Sequence, residues 1–170
     1  MKKKTLFWIA LILTLATFAM INQIDKHLKN DVVSTGIVSL QFAKSLDNSL
    51  EIINSWDTNA KVYAAVSLGI DYLYLVAYGS FLVLSVLLLA AKLPPGFLKK
   101  AAKTIVLIII LAAILDGIEN YASIRLLSGS HTQSMASVVF YCASVKFALL
   151  GVGVIYLLTG LVVLGLKRWN

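Results

Sequence analysis

Charged side chains are scarce in this 170-residue chain: 14% of residues are charged and 59% are hydrophobic. Soluble domains run to about 25% charged and about 45–50% apolar residues. With a mean hydropathy of +0.87, that shortage excludes an ordinary soluble domain. Cysteine is nearly absent too. Cys142 stands alone, which excludes an intrachain disulfide and a cysteine-based metal site. It reads as a packing residue rather than a nucleophile. There is no serine–histidine pair, zinc motif or phosphate loop, so no catalytic residue, metal site or cofactor is assigned. His27 and His131 fall in loops far apart and read as solvated. No repeat, low-complexity segment or linker divides the chain, so residues 1–170 read as one membrane domain.

Acids are missing wherever the bases cluster. Lys2, Lys3 and Lys4 precede the first apolar run, and Lys92, Lys99, Lys100 and Lys103 separate the second from the third. Lys167 and Arg168 close the chain. The segment after the first run mixes Lys26, Lys29, Lys44 and Lys61 with Asp25, Asp31, Asp47, Glu51 and Asp57. By the positive-inside rule, both termini and the middle loop are cytoplasmic. The net charge of +7 is therefore a topology signal. Bases split among short juxtamembrane segments, without aromatic interleaving, argue against nucleic acid as a partner.

Four apolar runs are long enough to span about 30 Å of hydrocarbon. The expected architecture is an all-α, four-transmembrane-helix bundle. The spans are about 5–21, 61–91, 104–127 and 136–166, with an extracytoplasmic segment over 22–60. The first run also has the form of a secretory signal, with Thr17 and Ala19 as a weak cleavage site. Phe18 and Met20 beside that site favour an uncleaved helix. Within 22–60, Leu46, Leu50 and Ile53 recur at helical spacing, opposite Asp47, Asn48, Glu51 and Asn54. They predict a short amphipathic helix of about ten residues with Trp56 near its end. It reads either as a lid over the outer mouth or as a connector resting on the bundle or the head-group zone, where Trp is favoured.

Asp57 is a suitable N-cap for a helix over 58–92, which Leu93-Pro94-Pro95-Gly96 ends. The next helix is expected over 98–127 and the last over 134–166. Arg125, near the end of the third, points away from Asp116 and is expected to snorkel to lipid phosphate. Gly151, Gly153 and Gly160 on the fourth are expected to permit close helix approach.

The third helix carries Asp116, Glu119, Asn120 and Ser123 where a lipid-spanning helix should carry none. At about 100° per residue these four share one face. The second helix has a polar stripe of Ser67, Asp71, Tyr74, Tyr78 and Ser85, and the fourth places Lys146 in line with Cys142 and Gly153. At about 1.5 Å per residue, Asp71 and Lys146 lie roughly 15 Å below the outer interface, Glu119 roughly 14 Å and Asp116 roughly 18 Å. Charges on three helices thus reach one level. An ionisable group at that depth must face a partner or water. A single buried cluster is expected, with Lys146 facing Asp71, Asp116 and Glu119. Asn120 and the hydroxyls of Tyr74 and Tyr78 would complete its hydrogen bonds.

Three carboxylates against one ammonium leave a charge of minus two, and like charges so close cannot all stay ionised. Either carboxylates are protonated and the network only sets helix register, or a cation or cationic ligand makes up the difference. A hard divalent ion on the acids is disfavoured by Lys146. The leading functional expectation is a binding or transport module whose outward-facing pocket takes a cation, a proton or a polar lipid head group. Asp71, Tyr74, Tyr78, Asp116, Glu119, Asn120 and Lys146 would form that pocket. Two alternatives stay open. A membrane enzyme acting on a lipid would need a groove opening sideways near Lys146. A structural subunit or assembly factor would need a sealed cluster and a membrane-protein partner.

Three sets of motifs look familiar together. They are Gly36-Ile37-Val38-Ser39-Leu40 followed by Trp56; Leu68-Gly69-Ile70-Asp71-Tyr72-Leu73 with Tyr78; and Leu115-Asp116-Gly117-Ile118-Glu119-Asn120 with Lys146-Phe147-Ala148-Leu149. Over most of Gly36 to Gly160 the chain resembles a family of small, uncharacterised bacterial four-helix integral membrane proteins. The resemblance implies the bacterial cytoplasmic (inner) membrane and brings no activity with it.

Overall fold

The computed structural model describes residues 2–169, and side chains as far as Leu166. Met1 and the side chains of Lys167 and Arg168, read above as parts of the basic termini, lie outside the described residues. The elements are α1 (Lys3–Asp25), a 3-10 turn (Lys26–Leu28), α2 (Ile37–Gln41), α3 (Leu46–Ser55), α4 (Thr58–Lys92), α5 (Phe97–Leu127) and α6 (Gln133–Trp169). No strand occurs among the described residues. The helices α1, α4, α5 and α6 are each long and apolar enough to cross a membrane, so the chain is an all-α, membrane-spanning protein. The 35 residues of α4 rise about 52 Å, longer than hydrocarbon of about 30 Å, so its ends stand beyond the acyl chains or the helix tilts.

Local chemistry sets the helix ends. Asp57 accepts a hydrogen bond from the Ala60 N–H at 2.7 Å and starts α4. Ser45 does the same for α3, accepting from the Asn48 N–H at 3.3 Å. Pro94 and Pro95 follow the end of α4 and cannot continue its ladder. The long helices alternate in direction, as their pairings show. Phe7 meets Phe81 and Phe18 meets Tyr74 across α1 and α4. Tyr78 meets Asp116 and Asp71 meets Asn120 across α4 and α5. Residue numbers rise on one helix as they fall on its neighbour.

α1 packs on α4, α4 on α5, and α5 most extensively on α6. α6 also touches α4, but α1 and α6 scarcely meet. Two apolar cores result. One lies under α2 and α3 and joins Leu28, Leu40, Ile53 and Trp56 to Leu68, Leu126 and Val139. The other, toward the Pro94 turn, joins Val86, Leu89, Ile105, Ile109 and Tyr156. The polar residues of α4, α5 and α6 fall between them.

Three details differ from the sequence reading. Trp56 does not rest among head groups: it is 3% exposed, and its indole N–H donates to the Leu28 carbonyl at 2.9 Å. Its ring supplies more contact area than a loop of this size otherwise has, so α3 is fastened to the bundle. α1 runs on past residue 21 to Asp25, so the first span and its outer turn form one rod. Of the three α6 glycines singled out above, a Cβ at Gly153 would lie 3.3 Å from Ile109 and one at Gly160 would lie 2.6 Å from Leu89, whereas Gly151 faces open space. Only Gly153 and Gly160 serve close approach. Arg125 is exposed, pointing away from the cluster.

Candidate functional site

The polar layer begins on α5, where Asp116, Glu119, Asn120 and Ser123 turn to the same side and are all buried. Helical periodicity puts them there. Small residues, Ala112 and Ala122, let the neighbouring helices approach that face. α6 contributes Lys146, 4% exposed, whose ammonium forms ion pairs with both Asp116 and Glu119. α4 contributes the Tyr78 hydroxyl, which donates to Asp116 Oδ2 at 2.8 Å. Asp116 thus has a partner on each oxygen, one from each flanking helix.

Asp71 is held differently. It accepts from Asn120 Nδ2 at 2.6 Å, and Lys146 pairs with the other two acids instead. The expected direct Lys146–Asp71 contact is therefore absent, and Asp71 is held by Asn120 instead. The Tyr74 hydroxyl, expected in the network, has no hydrogen bond to a described residue. Its ring instead packs against Tyr78 at 5.1 Å and Phe18 at 6.2 Å between centroids. A helical wheel gives the direction of Tyr74 but not the reach of its hydroxyl.

On the open side of this layer lies a cavity of about 470 Å³. α1, α4 and α6 form its walls and α2 covers its upper end. Asp71, Tyr74, Tyr78, Asp116 and Lys146 face it; Glu119 and Asn120 stand behind on α5. Phe81, Leu82, Leu150 and Val154 line its deeper part. The cavity lies between α1 and α6, which scarcely touch one another. Its volume falls in the range of small-molecule sites, about 300–1,000 Å³.

Two residues of this site were not singled out from the sequence. Asp25, at the end of α1, lines the cavity and accepts from the Ser67 hydroxyl at 3.2 Å. It sits two turns beyond Phe18, on the same helical face, and that spacing was the available signal. Gln41, on α2, also lines the cavity, and it is 6% exposed. Its Oε1 has no hydrogen-bond partner among the described residues. Nothing in the local sequence marks it. Asp25 also explains Gly36: the chain turns there with φ +64°, and a Cβ would lie 2.9 Å from the Asp25 carboxylate. Only glycine tolerates both conditions.

The remaining candidates lie elsewhere. Cys142 is half-buried on α6. His27 stacks on Tyr63 with ring centroids 4.3 Å apart, and His131 is exposed in the α5–α6 turn. Among the described residues no group of three His, Cys, Asp or Glu side chains is arranged to hold a metal ion. No family model, curated protein or solved structure matches the chain. Fold and site together define a membrane-spanning four-helix bundle with a buried Asp–Glu–Lys cluster beside a cavity between α1 and α6.

Proposed function

We propose that this protein is a membrane binding module that takes the polar head of an amphiphile into the cavity, from the side, between α1 and α6. One observation carries the reading. A single cavity joins buried charged groups to apolar walls and lies between α1 and α6, two helices apolar enough to span a membrane that scarcely touch each other. A sealed cluster, as expected of a structural subunit or assembly factor, would have no use for such a space. The bases flanking the spans support an orientation with both termini and the Pro94 turn in the cytoplasm, and the pocket in the outer half of the membrane. The motif resemblance supports the bacterial inner membrane as its place.

The second reading is an enzyme acting on a lipid, for which the same cavity between α1 and α6 is favourable. Two measurements separate these readings. Leu150→Trp places a bulky ring in the cavity without touching the ion pairs. Native mass spectrometry of wild-type protein extracted from its membrane should show a retained amphiphile, reduced at least ten-fold in Leu150→Trp. Equal retention by both would overturn lateral binding. A new lipid species lost on deletion of the gene would favour the enzyme.

A further inference from the structure

We infer that the bound amphiphile carries a protonated amine as its head, with a hydrocarbon tail lying along the α1–α6 seam. The inference rests on the lateral-binding reading and adds the charge and shape of the occupant.

The head end of the cavity is acidic. Asp25, Asp71 and Asp116 line it against Lys146 alone, and Lys146 already pairs with Asp116 and Glu119. No positive charge on the cavity wall is left for a phosphate, sulfate or carboxylate. An anionic head would instead meet three carboxylates, a like-charge arrangement that proteins use to reject a ligand. An ammonium group has only donors to offer. The wall offers an acceptor in Asp71, which uses only Oδ2 toward Asn120, and beside it Gln41 lines the cavity with its Oε1 buried and unpartnered. A buried acceptor without a donor is costly unless something fills it. Gln41 is thus an observation independent of the acids, and it asks for a donor.

Aromatic rings select an organic cation over a bare ion. Phe18, Tyr74 and Tyr78 stand in a continuous row at the head end, while Phe147 already lies against the Lys146 ammonium. Ring faces attract ammonium groups within about 6 Å of their centroids. Below them the walls become hydrocarbon. Phe81 lines both this cavity and a second groove, about 410 Å³, bounded by Phe7, Leu88, Leu157 and Leu161. From Asp71 to Leu88 the two together follow α4 for about 25 Å at 1.5 Å per residue. That length suits an extended tail and has no role for an inorganic ion.

The test uses full-length protein in dodecyl maltoside micelles, with binding read by native mass spectrometry. The probes are hexadecylamine, hexadecanoic acid and hexadecanol, which share a tail, and butylamine, which lacks one. The expected result is one hexadecylamine per chain, half-saturating at a concentration at least ten-fold below that of the acid or the alcohol. Butylamine should not bind in that range. Asp71→Asn should weaken hexadecylamine at least ten-fold and Gln41→Leu about three-fold, each with unchanged helical circular dichroism. If hexadecanoic acid binds as well as the amine, or Gln41→Leu changes nothing, the amine assignment falls while lateral binding stands. If butylamine equals hexadecylamine, the tail assignment falls. If no long-chain probe binds and wild type and Leu150→Trp retain the same native lipid, both readings fall together.

Discussion

α6 has two seams, and they are built in opposite ways. Toward α5 it presents Ala143, Lys146, Gly153 and Tyr156, all buried, and the helices close on one another. Gly153 lets Ile109 in, the Tyr156 hydroxyl donates to the Leu98 carbonyl at 3.0 Å, and Lys146 finds two carboxylates. Toward α1 it presents Phe147, Leu150 and Val154, and the helices stand apart around a cavity. Small residues with paired charges seal one seam. Bulky residues leave the other open around a cavity. A buried charge pair on its own is weak evidence for function, because pairs of this kind also set helix register. We propose that Lys146, Asp116 and Glu119 set the helix register, and that Asp71, Gln41 and the rings around them bind.

The largest expected effect breaks the sealed seam. Lys146→Met leaves Asp116 and Glu119 without a counter-charge and should cost about 3–5 kcal/mol of stability. SDS titration in mixed micelles, followed by circular dichroism, reads it. Adding Glu119→Leu should recover part of that loss; a single variant as stable as wild type would show that the ion pairs do not hold the seam. Gly153→Leu comes next. It forces a side chain against Ile109 and should cost about 1–3 kcal/mol, as overpacking does. The smallest effect belongs to the open seam. Leu150→Trp should change stability by no more than about 0.5 kcal/mol, since the ring enters space that is already there. Two changes four residues or fewer apart on α6 would then differ several-fold in cost. Equal costs would erase the distinction between the seams.

Much of the fold was legible from the chain. The α4 helix was read at both ends, because Asp57 and Pro94 are local signals that need no tertiary partner. The α3 helix was legible from its spacing, though not the burial of Trp56. A tryptophan suits an interface and an interior equally well until the Leu28 carbonyl is seen beside it. The polar face of α5 was legible because carboxylates in an apolar run are conspicuous, and depth counting brought Lys146 to the same level. Asp25 was hidden by its neighbours: a charged residue after an apolar run reads as loop, and only the continuation of α1 turned it inward. Gln41 was hidden because a five-residue helix has too few turns to show a face.

By itself the sequence determined four apolar helices, their turns and the residues that share a face, because hydropathy, capping and periodicity act between neighbours along the chain. Only the tertiary structure decided which acids Lys146 meets, that Asp71 is held by Asn120, and that α1 and α6 scarcely touch. Those outcomes depend on side-chain volume and reach between helices distant in sequence.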